Sequence, residues 1–592
     1  MTTPRRATAS GLLFALLVTL ALAGCGGLSS AGPVEQGLDV GSGNPPDLRV
    51  TFPGPVPGAQ QETIVRGFVR AGAASDAAYD NARAFLTTQV SEAWNPDGTI
   101  VLLADAAPPT ATLLDPATVR IQARAAGTID ADGRYTAARP GSTVTAEFGL
   151  QSVGGEWRIA ALPEGFGRWI ASTEVSRLVQ PHSVHYVSTS RRALVPDVRW
   201  FPADKLATRL ALAQIAPLPE HLTGAAVTAV PVGARLLGDA VSVDAGVATV
   251  NLISGRLAPG ETTRQNLWAQ FVATLTQDAG VTRVALSVDG VPVNLLGLDE
   301  SAGTLAEVGF SAPATPPLAL PVARRGADVV VFDPSGLGDQ EPRQPTGART
   351  YPQVPQDFRR LALSADGGEL AGVDPGGDGI SRWRGTNRYE VPLEGKDVGN
   401  PSYDQRGFLW VGAVGSGAEG PRVWVVNTSV DPAAPGAAAT PVEARWLAGR
   451  RVLEARVAPD GDRVAVLSVK GDGSDTRVDI AGVVRGAAGL PERLAPPLRI
   501  GAPLTRATSL AWLDFRTLAA IGVLEGSTVQ PVVLTVGGDV RGLRPVPGAV
   551  AVASTGGERD MWVVTSAGRL FGRAGSQWVD SGPATDLAVA AG

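Results

Sequence analysis

The sequence predicts a multidomain protein in which two α+β domains precede an all-β domain. Three observations lead to this prediction. The chain has 592 residues, whereas single hydrophobic cores stop growing at roughly 250–300 residues. Helical and strand patterns occur together in the first half, and the second half repeats a strand–turn–strand pattern. The 72 glycines and 46 prolines are typical of a chain with many turns.

Charge and composition exclude some classes of function. The net charge of −6 is spread along the chain without long runs. Proteins that bind nucleic acid concentrate basic residues on one surface, so we expect no nucleic-acid partner. Cys25 is the sole cysteine, which rules out an internal disulfide and leaves a core thiol, a nucleophile or an attachment point.

Residues 1–24 have the pattern of a signal peptide. Arg5 and Arg6 lie in a segment without acidic residues, and residues 11–23 are almost wholly apolar. A helix of about thirteen residues spans roughly 20 Å, less than the roughly 30 Å of a bilayer core. We therefore predict a leader that is removed rather than a permanent membrane span.

The residues at the end of this leader, Leu22-Ala23-Gly24-Cys25, resemble a bacterial lipobox. The resemblance implies cleavage between Gly24 and Cys25, S-diacylglycerol on Cys25 and an acyl chain such as palmitate on the new amine. One chain binds a membrane only marginally, whereas two or more anchor a protein durably. The alternative is an ordinary secretory signal with a cysteine nearby by accident. The position of the only cysteine favours lipidation and a lipid-anchored location at the cell membrane.

The first predicted domain covers residues 47–185 and follows a flexible tether, residues 25–46, rich in Gly, Ser and Pro. Apolar residues at helical spacing predict helices at 60–71 and around 76–90. Alternating stretches then predict four strands. These strands are residues 99–103, 118–126, 142–150 and 156–161.

The second predicted domain covers residues 190–305. Residues 241–252 form two alternating arms about an Asp-Ala-Gly turn, and residues 281–293 are another strand, with a turn at Asp289-Gly290. Between them, residues 264–277 are amphipathic. This strand–helix–strand run resembles the GerMN domain of bacterial sporulation and germination proteins, which implies an α+β fold.

The third predicted domain, residues 322–592, follows a proline-rich linker at 306–321. A strand–turn–strand pattern recurs along it. The four clearest copies are residues 361–373, 401–414, 455–467 and 509–523. Repeats of roughly 40–50 residues built from short strands are typical of a β-propeller, and the length allows about five or six blades.

The sequence has few histidines that could act in catalysis or bind a metal: His182, His185 and His221 are the only three. The first two follow Pro181 among β-branched residues, which favours extended chain, and positions three apart in a strand face opposite sides. We therefore predict polar histidines rather than metal ligands. The sequence points to no metal site and no cofactor.

Other candidate motifs have a structural explanation. The glycine-rich segments 376–379 and 471–475 could suit calcium, but neither follows the EF-hand ligand order, so hairpin turns are favoured. Tryptophans in strand patterns favour core packing over stacking on carbohydrate; these are Trp410, Trp424, Trp512 and Trp562. A nucleophile elbow, a P-loop and a Rossmann fingerprint are all missing from the sequence. The prediction is that the protein is not an enzyme.

The order of lipobox, α+β domain, GerMN-like domain and propeller-like domain resembles the actinobacterial LpqB lipoprotein family along essentially the whole chain. The residues that carry the resemblance are 22–25, 241–252, 264–293 and the repeat from 361 onward. It implies a place at the outer face of the cytoplasmic membrane. There the protein would bind the extracellular domain of an MtrB-like sensor histidine kinase and modulate MtrA–MtrB two-component signalling in cell-envelope homeostasis. Only Cys25 carries over as a functional residue.

Two other functions remain open at this point. An envelope scaffold would bind peptidoglycan or another glycan of the cell wall through the GerMN-like domain. A propeller hydrolase or dehydrogenase would need inward-facing acids with calcium, or histidines, and the sequence shows no such cluster.

Overall fold

The computed structural model describes most of the chain after the tether. The described ranges are residues 52–74, 79–104, 108–139, 141–254, 260–310, 318–334, 345, 347–417 and 419–590. All of them belong to one compact unit. They contain few helices and many strands, which confirms the predicted sequence of two α+β domains and an all-β domain.

The first domain is a helix packed on a seven-stranded sheet of order β6–β5–β3–β1–β7, with β2 and β4 also paired to β3. Strands β1 and β7 are parallel and the other pairs are antiparallel. Its helices are α1 (Gln61–Gly72), α2 (Asp80–Arg83) and α3 (Thr88–Ala93). Its strands are β1 (Thr99–Leu103), β2 (Thr110–Asp115), β3 (Thr118–Ile129), β4 (Tyr135–Ala137), β5 (Thr143–Val153), β6 (Glu156–Ala161) and β7 (Phe166–Ala171).

Helix α1 forms because its apolar residues recur on one face, which the sheet covers. Phe68 and Phe148 meet edge to face at 6.1 Å. A Cβ at Gly67 would lie 2.5 Å from the ring of Phe85, so glycine is required for this ring to pack on the helix.

The single helix predicted around residues 76–90 is wrong. The described part of that segment holds two short helices, α2 and α3, separated by an extended stretch. There the main chain pairs with β6: the Ile159 N–H donates to the Phe85 carbonyl at 2.9 Å, and the Thr87 N–H donates to the Ile159 carbonyl at 2.9 Å. Pairing with the edge strand replaces the helical bonds, although Phe85 and Leu86 still enter the core.

The second domain holds two sheets and two longer helices. Its helices are α4 (Val175–Leu178), α5 (Leu206–Ile215) and α6 (Glu261–Leu275). Its strands are β8 (Gln180–Ser188), β9 (Leu194–Phe201), β10 (Ala226–Val227), β11 (Arg235–Leu236), β12 (Ser242–Asp244), β13 (Val247–Ile253), β14 (Arg283–Val288) and β15 (Val291–Pro292). Strand β8 crosses residue 185, the predicted end of the first domain, and its pairing with β9 and β10 assigns it to the second.

The strand–helix–strand core of this domain follows the sequence pattern closely. Strands β12 and β13 form a hairpin in which Ala245 has φ 47° and Gly246 φ 80°, the positive angles of the turns that join tight hairpins. Strands β13 and β14 are parallel and are connected through α6. All four predicted core residues of the helix are buried; they are Leu267, Phe271, Val272 and Leu275.

The third domain is a ring of sheets, numbered here as blades in chain order. Blade 1 consists of β16 (Val322–Arg325), β17 (Asp328–Val331) and β39 (Asp586–Ala588). Blade 2 consists of β18 (Arg359–Leu363), β19 (Glu369–Val373), β20 (Ile380–Arg384) and β21 (Asn387–Glu390). Blade 3 consists of β22 (Ser402–Tyr403), β23 (Phe408–Gly412), β24 (Val423–Asn427) and β25 (Thr440–Val442).

The remaining blades follow the same plan. Blade 4 consists of β26 (Arg450–Val457), β27 (Arg463–Lys470), β28 (Arg477–Arg485), β29 (Pro491–Leu494) and β30 (Leu498–Ile500). Blade 5 consists of β31 (Leu504–Trp512), β32 (Thr517–Leu524), β33 (Val529–Thr535) and β34 (Val540–Gly542). Blade 6 consists of β35 (Ala549–Ser554), β36 (Met561–Thr565), β37 (Arg569–Ala574) and β38 (Gln577–Pro583).

Within the described ranges the blades therefore number six, inside the predicted five or six. The innermost strands are β39, β18, β22, β26, β31 and β35, each in contact with the next around the ring. The ring closes in blade 1, where β39 from the end of the chain pairs antiparallel with β16 from the start of the domain. Closure of this kind leaves no exposed sheet edge at the joint.

The four repeats found in the sequence are the hairpins formed by the first two strands of blades 2 to 5. An aspartate fixes the turn in each case by accepting main-chain N–H bonds, as an Asx turn does. Asp404 Oδ1 accepts from Arg406 and Phe408, both at 2.9 Å. Asp460 Oδ1 accepts from Asp462 at 2.9 Å and from Arg463 at 3.0 Å.

Side chains also join neighbouring blades where the inner strands diverge. Glu454 Oε2 accepts the Leu510 N–H at 2.9 Å, and Asp586 Oδ2 accepts the Leu361 N–H at 2.7 Å. These carboxylates satisfy buried donors that no strand ladder reaches.

Candidate functional site

The predicted lipid site, Cys25 with its cleavage point after Gly24, lies outside the described residues. In the part of the chain that is described, no helix is both long enough and apolar enough to cross a bilayer.

The histidines lie in separate surroundings. The predicted extended conformation of His182 and His185 is confirmed, because both belong to β8. The Nδ1 atom of His185 lies 3.2 Å from Thr274 Oγ1, and burial lowers the pKa of this imidazole to about 4. His221 Nε2 lies 3.4 Å from Asp197 Oδ1, and burial again lowers the pKa to about 4. Among the described residues no three His, Cys, Asp or Glu side chains are grouped so that they could hold a metal ion.

The glycine-rich segments are hairpin turns, as predicted. Residues 376–379 join β19 to β20, and residues 471–475 join β27 to β28. Asp472 Oδ1 accepts from the Ser474 N–H at 2.9 Å and from its hydroxyl at 2.6 Å, so the carboxylate serves the turn itself.

The predicted packing role of the four tryptophans is also confirmed, because all four are buried; they are Trp410, Trp424, Trp512 and Trp562. Trp410 Nε1 donates to Asp404 Oδ2 at 3.0 Å. The hairpin turn and the core of blade 3 are thereby fastened to each other.

The centre of the propeller offers little space. The inner strands of all six blades line a cavity of about 30 Å³. A water molecule needs roughly 10–15 Å³ measured in this way, so the cavity has room for about two or three waters.

A cluster of charged side chains joins the second domain to the propeller. We call Ser190, Arg191, Arg406 and Asp462 the ionic junction. Asp462 Oδ1 accepts from Ser190 Oγ at 2.9 Å and from Arg406 Nη2 at 2.7 Å, and Arg406 Nη1 donates to Ser190 Oγ at 2.8 Å. Arg191 Nε lies 3.6 Å from Asp462 Oδ2, and its Nη2 donates to the Asp460 carbonyl.

Local structure explains why these groups meet. Ser190 and Arg191 lie in the loop between β8 and β9, whereas Arg406 and Asp462 lie in the turns of blades 3 and 4 that the aspartates fix. Asp462 is fully buried. A buried carboxylate is costly unless it is paired and hydrogen-bonded. Ser190 and Arg406 satisfy Oδ1 of Asp462, whereas Oδ2 makes no hydrogen bond and lies 3.6 Å from Arg191 Nε.

A second contact also joins the second domain to the propeller. Trp200 Nε1 donates to the Gly537 carbonyl in blade 5 at 3.1 Å. A Cβ at Gly537 would lie 2.5 Å from this nitrogen, so only glycine allows the approach. The ring of Tyr135 from the first domain lies 6.4 Å from that of Trp200. All three domains therefore meet at one place.

Sequence reasoning missed the ionic junction. Ser190 and Asp462 are 272 positions apart, and no local pattern connects them. The recurrent aspartate turn was the one sequence signal near this junction. It predicted where the loops of the blades lie, but it did not predict which residues those loops contact. The hydroxyl of Ser190 donates to the same Asp462 oxygen that Arg406 binds, so this carboxylate is already engaged in an ion pair. The chemistry of the junction is suited to holding domains together.

Comparisons with known proteins agree with this division of the chain. A family model described as the N-terminal domain of lipoprotein LpqB matches residues 54–176. A model described as sporulation and spore germination (Germane) matches residues 183–294. A model described as the lipoprotein LpqB beta-propeller domain matches residues 346–588.

Whole proteins are similar over nearly their full length. Lipoprotein LpqB of Thermobifida fusca is 27% identical over 87% of this chain and 88% of its own. Lipoprotein LpqB of Nocardia farcinica is 28% identical over 94% of each. Among solved structures, the calcium-binding protein regucalcin from Agrobacterium tumefaciens overlaps 39% of this chain and 74% of its own, with 10% identity and a TM-score of 0.27. A score this low carries no argument.

Proposed function

The chain belongs to the LpqB lipoprotein family, and from this premise we propose that it is a lipid-anchored protein on the outer face of the cytoplasmic membrane. There it binds the extracellular domain of an MtrB-like sensor histidine kinase and modulates MtrA–MtrB two-component signalling in cell-envelope homeostasis. Cys25 carries the lipid in this proposal.

The ionic junction is the observation that carries the proposal. It fastens the second domain to the propeller through Asp462, a fully buried carboxylate. A partner that meets preorganised surfaces loses less conformational entropy on binding. Lipid attachment adds to this effect, because confinement to the membrane raises the effective concentration of a binding protein against a membrane-embedded partner.

The proposal gives the protein no catalytic role. The cavity at the centre of the propeller, about 30 Å³, is far smaller than the roughly 300–1,000 Å³ of ordinary ligand pockets. The nearby acids Glu454 and Asp586 are engaged in bonds to main-chain N–H groups of neighbouring blades.

Crosslinking in intact membranes, read by mass spectrometry, tests the proposal. Wild-type protein is expected to crosslink to the extracellular domain of the kinase. Cys25→Ala is expected to leave the membrane fraction and to lose these crosslinks, with an unchanged melting temperature because residue 25 precedes the folded domains. Full membrane retention of Cys25→Ala would refute the anchoring step, and absence of kinase crosslinks from the wild type would refute the partner.

A second candidate, the envelope scaffold, is favoured by one feature of the GerMN-like domain. The face of the β13–β14 pair that points away from the helix carries small polar side chains, Thr249, Asn251 and Ser287. Asn251 and Ser287 are hydrogen-bonded across the pair. Sedimentation with purified cell wall separates the two candidates. Binding to wall that Asn251→Ala abolishes, without kinase crosslinks, would select the scaffold.

A further inference from the structure

Blade 4 has a polar cavity at one end of its face towards blade 3. Along most of that face Val452, Val464 and Val466 pack against blade 3 in an apolar core. Beyond this core, towards the turn that joins β27 to β28, a cavity of about 470 Å³ opens. Its lining is Trp446, Ala448, Gly449, Arg450, Lys470, Gly471, Asp472 and Arg477. We call it the blade 4 cavity.

The lining carries three cations and one carboxylate. Lys470 is exposed, its ammonium makes no hydrogen bond to a described residue, and it is one of three lysines in the chain. Arg477 Nη2 lies 2.7 Å from Asp475 Oδ2, whereas its Nε is buried and makes no hydrogen bond. Unused donors on two cations leave the cavity ready to accept an anion.

The acids near the cavity do not cancel these charges. The Asp472 carboxylate already accepts two hydrogen bonds from Ser474 in its own turn. The single carboxylate of Asp475 lies near three guanidinium groups, those of Arg450 at 3.0 Å, Arg477 at 2.7 Å and Arg499 at 3.7 Å.

One further acid lies in β28. Asp479 is buried, and burial raises its pKa to about 6. With Arg499 included, four cations therefore face the three acids Asp472, Asp475 and Asp479, and the surroundings of the blade 4 cavity keep a positive excess.

Trp446 supplies an aromatic wall beside these cations. Its Nε1 donates to the Ala495 carbonyl at 3.1 Å, which holds the ring in place, and the side chain is half-buried. It differs in this from Trp410 and Trp424, which lie wholly in the core. An aromatic face is apolar and flat, and it suits the C–H face of a pyranose ring.

From this combination we infer that the blade 4 cavity binds a saccharide that carries a carboxylate. A pyranose ring packs on Trp446, and its carboxylate accepts hydrogen bonds from Lys470 and Arg477. The volume is within the roughly 300–1,000 Å³ range of small-molecule sites. The inference is independent of the proposed kinase partner.

Calorimetric titration of the full-length lipoprotein in nanodiscs tests the inference. The probes are tri-galacturonic acid, which carries three carboxylates, and maltotriose, which is of similar size and neutral. We expect binding of the first probe, weakened by added salt, and no heat from the second. Lys470→Gln is expected to weaken binding about tenfold, the usual effect of losing one hydrogen bond to a charged group. Trp446→Leu is expected to weaken it by a similar factor.

Matched controls keep the test decisive. Lys396→Gln removes an exposed lysine of the same propeller, outside the cavity, and is expected to bind as the wild type does. No heat from tri-galacturonic acid at millimolar concentration would overturn the inference, as would equal binding of maltotriose. Equal loss in Lys396→Gln and Lys470→Gln would assign the effect to general charge. Equal binding of tri-glutamate would assign the cavity to acidic peptides, which also overturns the inference.

Discussion

The second domain is joined to its two neighbours in different ways. Towards the first domain the contact is made by main chain and rings: the Trp200 N–H donates to the Gly133 carbonyl at 2.8 Å, and a Cβ at Gly133 would lie 2.6 Å from the ring of Phe201. We call this the aromatic junction. An ion pair between Arg209 and Asp97 at 2.9 Å lies at its more exposed side. Towards the propeller the ionic junction dominates.

The difference shows that two kinds of contact can join domains and yet respond differently to pH, to salt and to the loss of one side chain. An aromatic contact is stabilised by burial and packing, which depend little on pH or salt. A buried carboxylate such as Asp462 contributes little net stability while its partners are in place, but it becomes strongly destabilising when one of them is lost. The ionic junction therefore fixes the arrangement, and the aromatic junction supplies more of the free energy.

The largest expected effect comes from Trp200→Ala, which removes a ring from the aromatic junction and its bond to blade 5. Truncation of a buried tryptophan costs about 4 kcal/mol. Differential scanning calorimetry is expected to show a lowered melting temperature, and limited proteolysis is expected to cut between the domains. An unchanged melting temperature would show that the ring does not stabilise the aromatic junction.

Asp462→Ala is the next strongest perturbation. It leaves Arg406 and Arg191 without their carboxylate, and we expect a loss of about 3 kcal/mol. Asp462→Asn keeps an acceptor for Ser190, so its melting temperature should lie between those of the alanine variant and the wild type. A loss below about 0.5 kcal/mol in Asp462→Ala, the range of ordinary surface substitutions, would remove the distinction between the two junctions.

Acidification is expected to lower the free energy of unfolding by a smaller amount, through protonation of the buried His221. The pKa of His221 is about 4 in the folded chain and 6.5 in its ordinary state, so the unfolded chain binds more protons between these values. Stability is complete above pH 6.5 and falls as the pH is lowered towards 4. From pH 7 to 5.5 we expect a loss of about 1 kcal/mol from this group. His221→Gln is expected to reduce the slope of melting temperature against pH by about half, because burial also lowers the pKa of His185 to about 4 and this second histidine contributes a similar slope. An unchanged slope would contradict the assignment.

Ser190→Ala gives the smallest expected effect. It removes one donor to Asp462 while both arginines remain, which costs about 1 kcal/mol. The exposed Ser429→Ala serves as its control, because Ser429 bonds only to the neighbouring Asn427. Equal melting temperatures for the two variants would show that the arginines alone satisfy the carboxylate.

Local pattern predicted much of the fold. The aspartate turns revealed the first hairpins of blades 2 to 5, and alternating residues revealed the β12–β13 hairpin, because in each case the chain contacts its own near neighbours. Helix α6 was predicted for the same reason, since the spacing of apolar residues is a local property. The predicted single apolar face is wrong, however, because residues 267–272 are all buried and the helix is covered on more than one side. The long helix around residues 76–90 failed because a distant strand, β6, competes for the same main chain.

The candidate sites were less accessible to sequence reasoning. The ionic junction depends on loops of different domains, and the blade 4 cavity depends on Trp446 and Arg477 lying beside each other only after the blade has folded. Lipidation at Cys25 is different, because a lipobox is read as a linear motif. It stays a prediction, since residue 25 lies outside the described residues.

The pairing of β39 with β16 has a consequence for how the propeller closes. The innermost strand of blade 1 consists of residues 586–588, whereas β16 covers residues 322–325, so the ring can shut only when two distant parts of the chain meet. Loss of residues 586–588 would leave one border of β16 unpaired, and an unpaired strand border is a template for association with another chain. The last strand of the propeller thus shields the first from self-association.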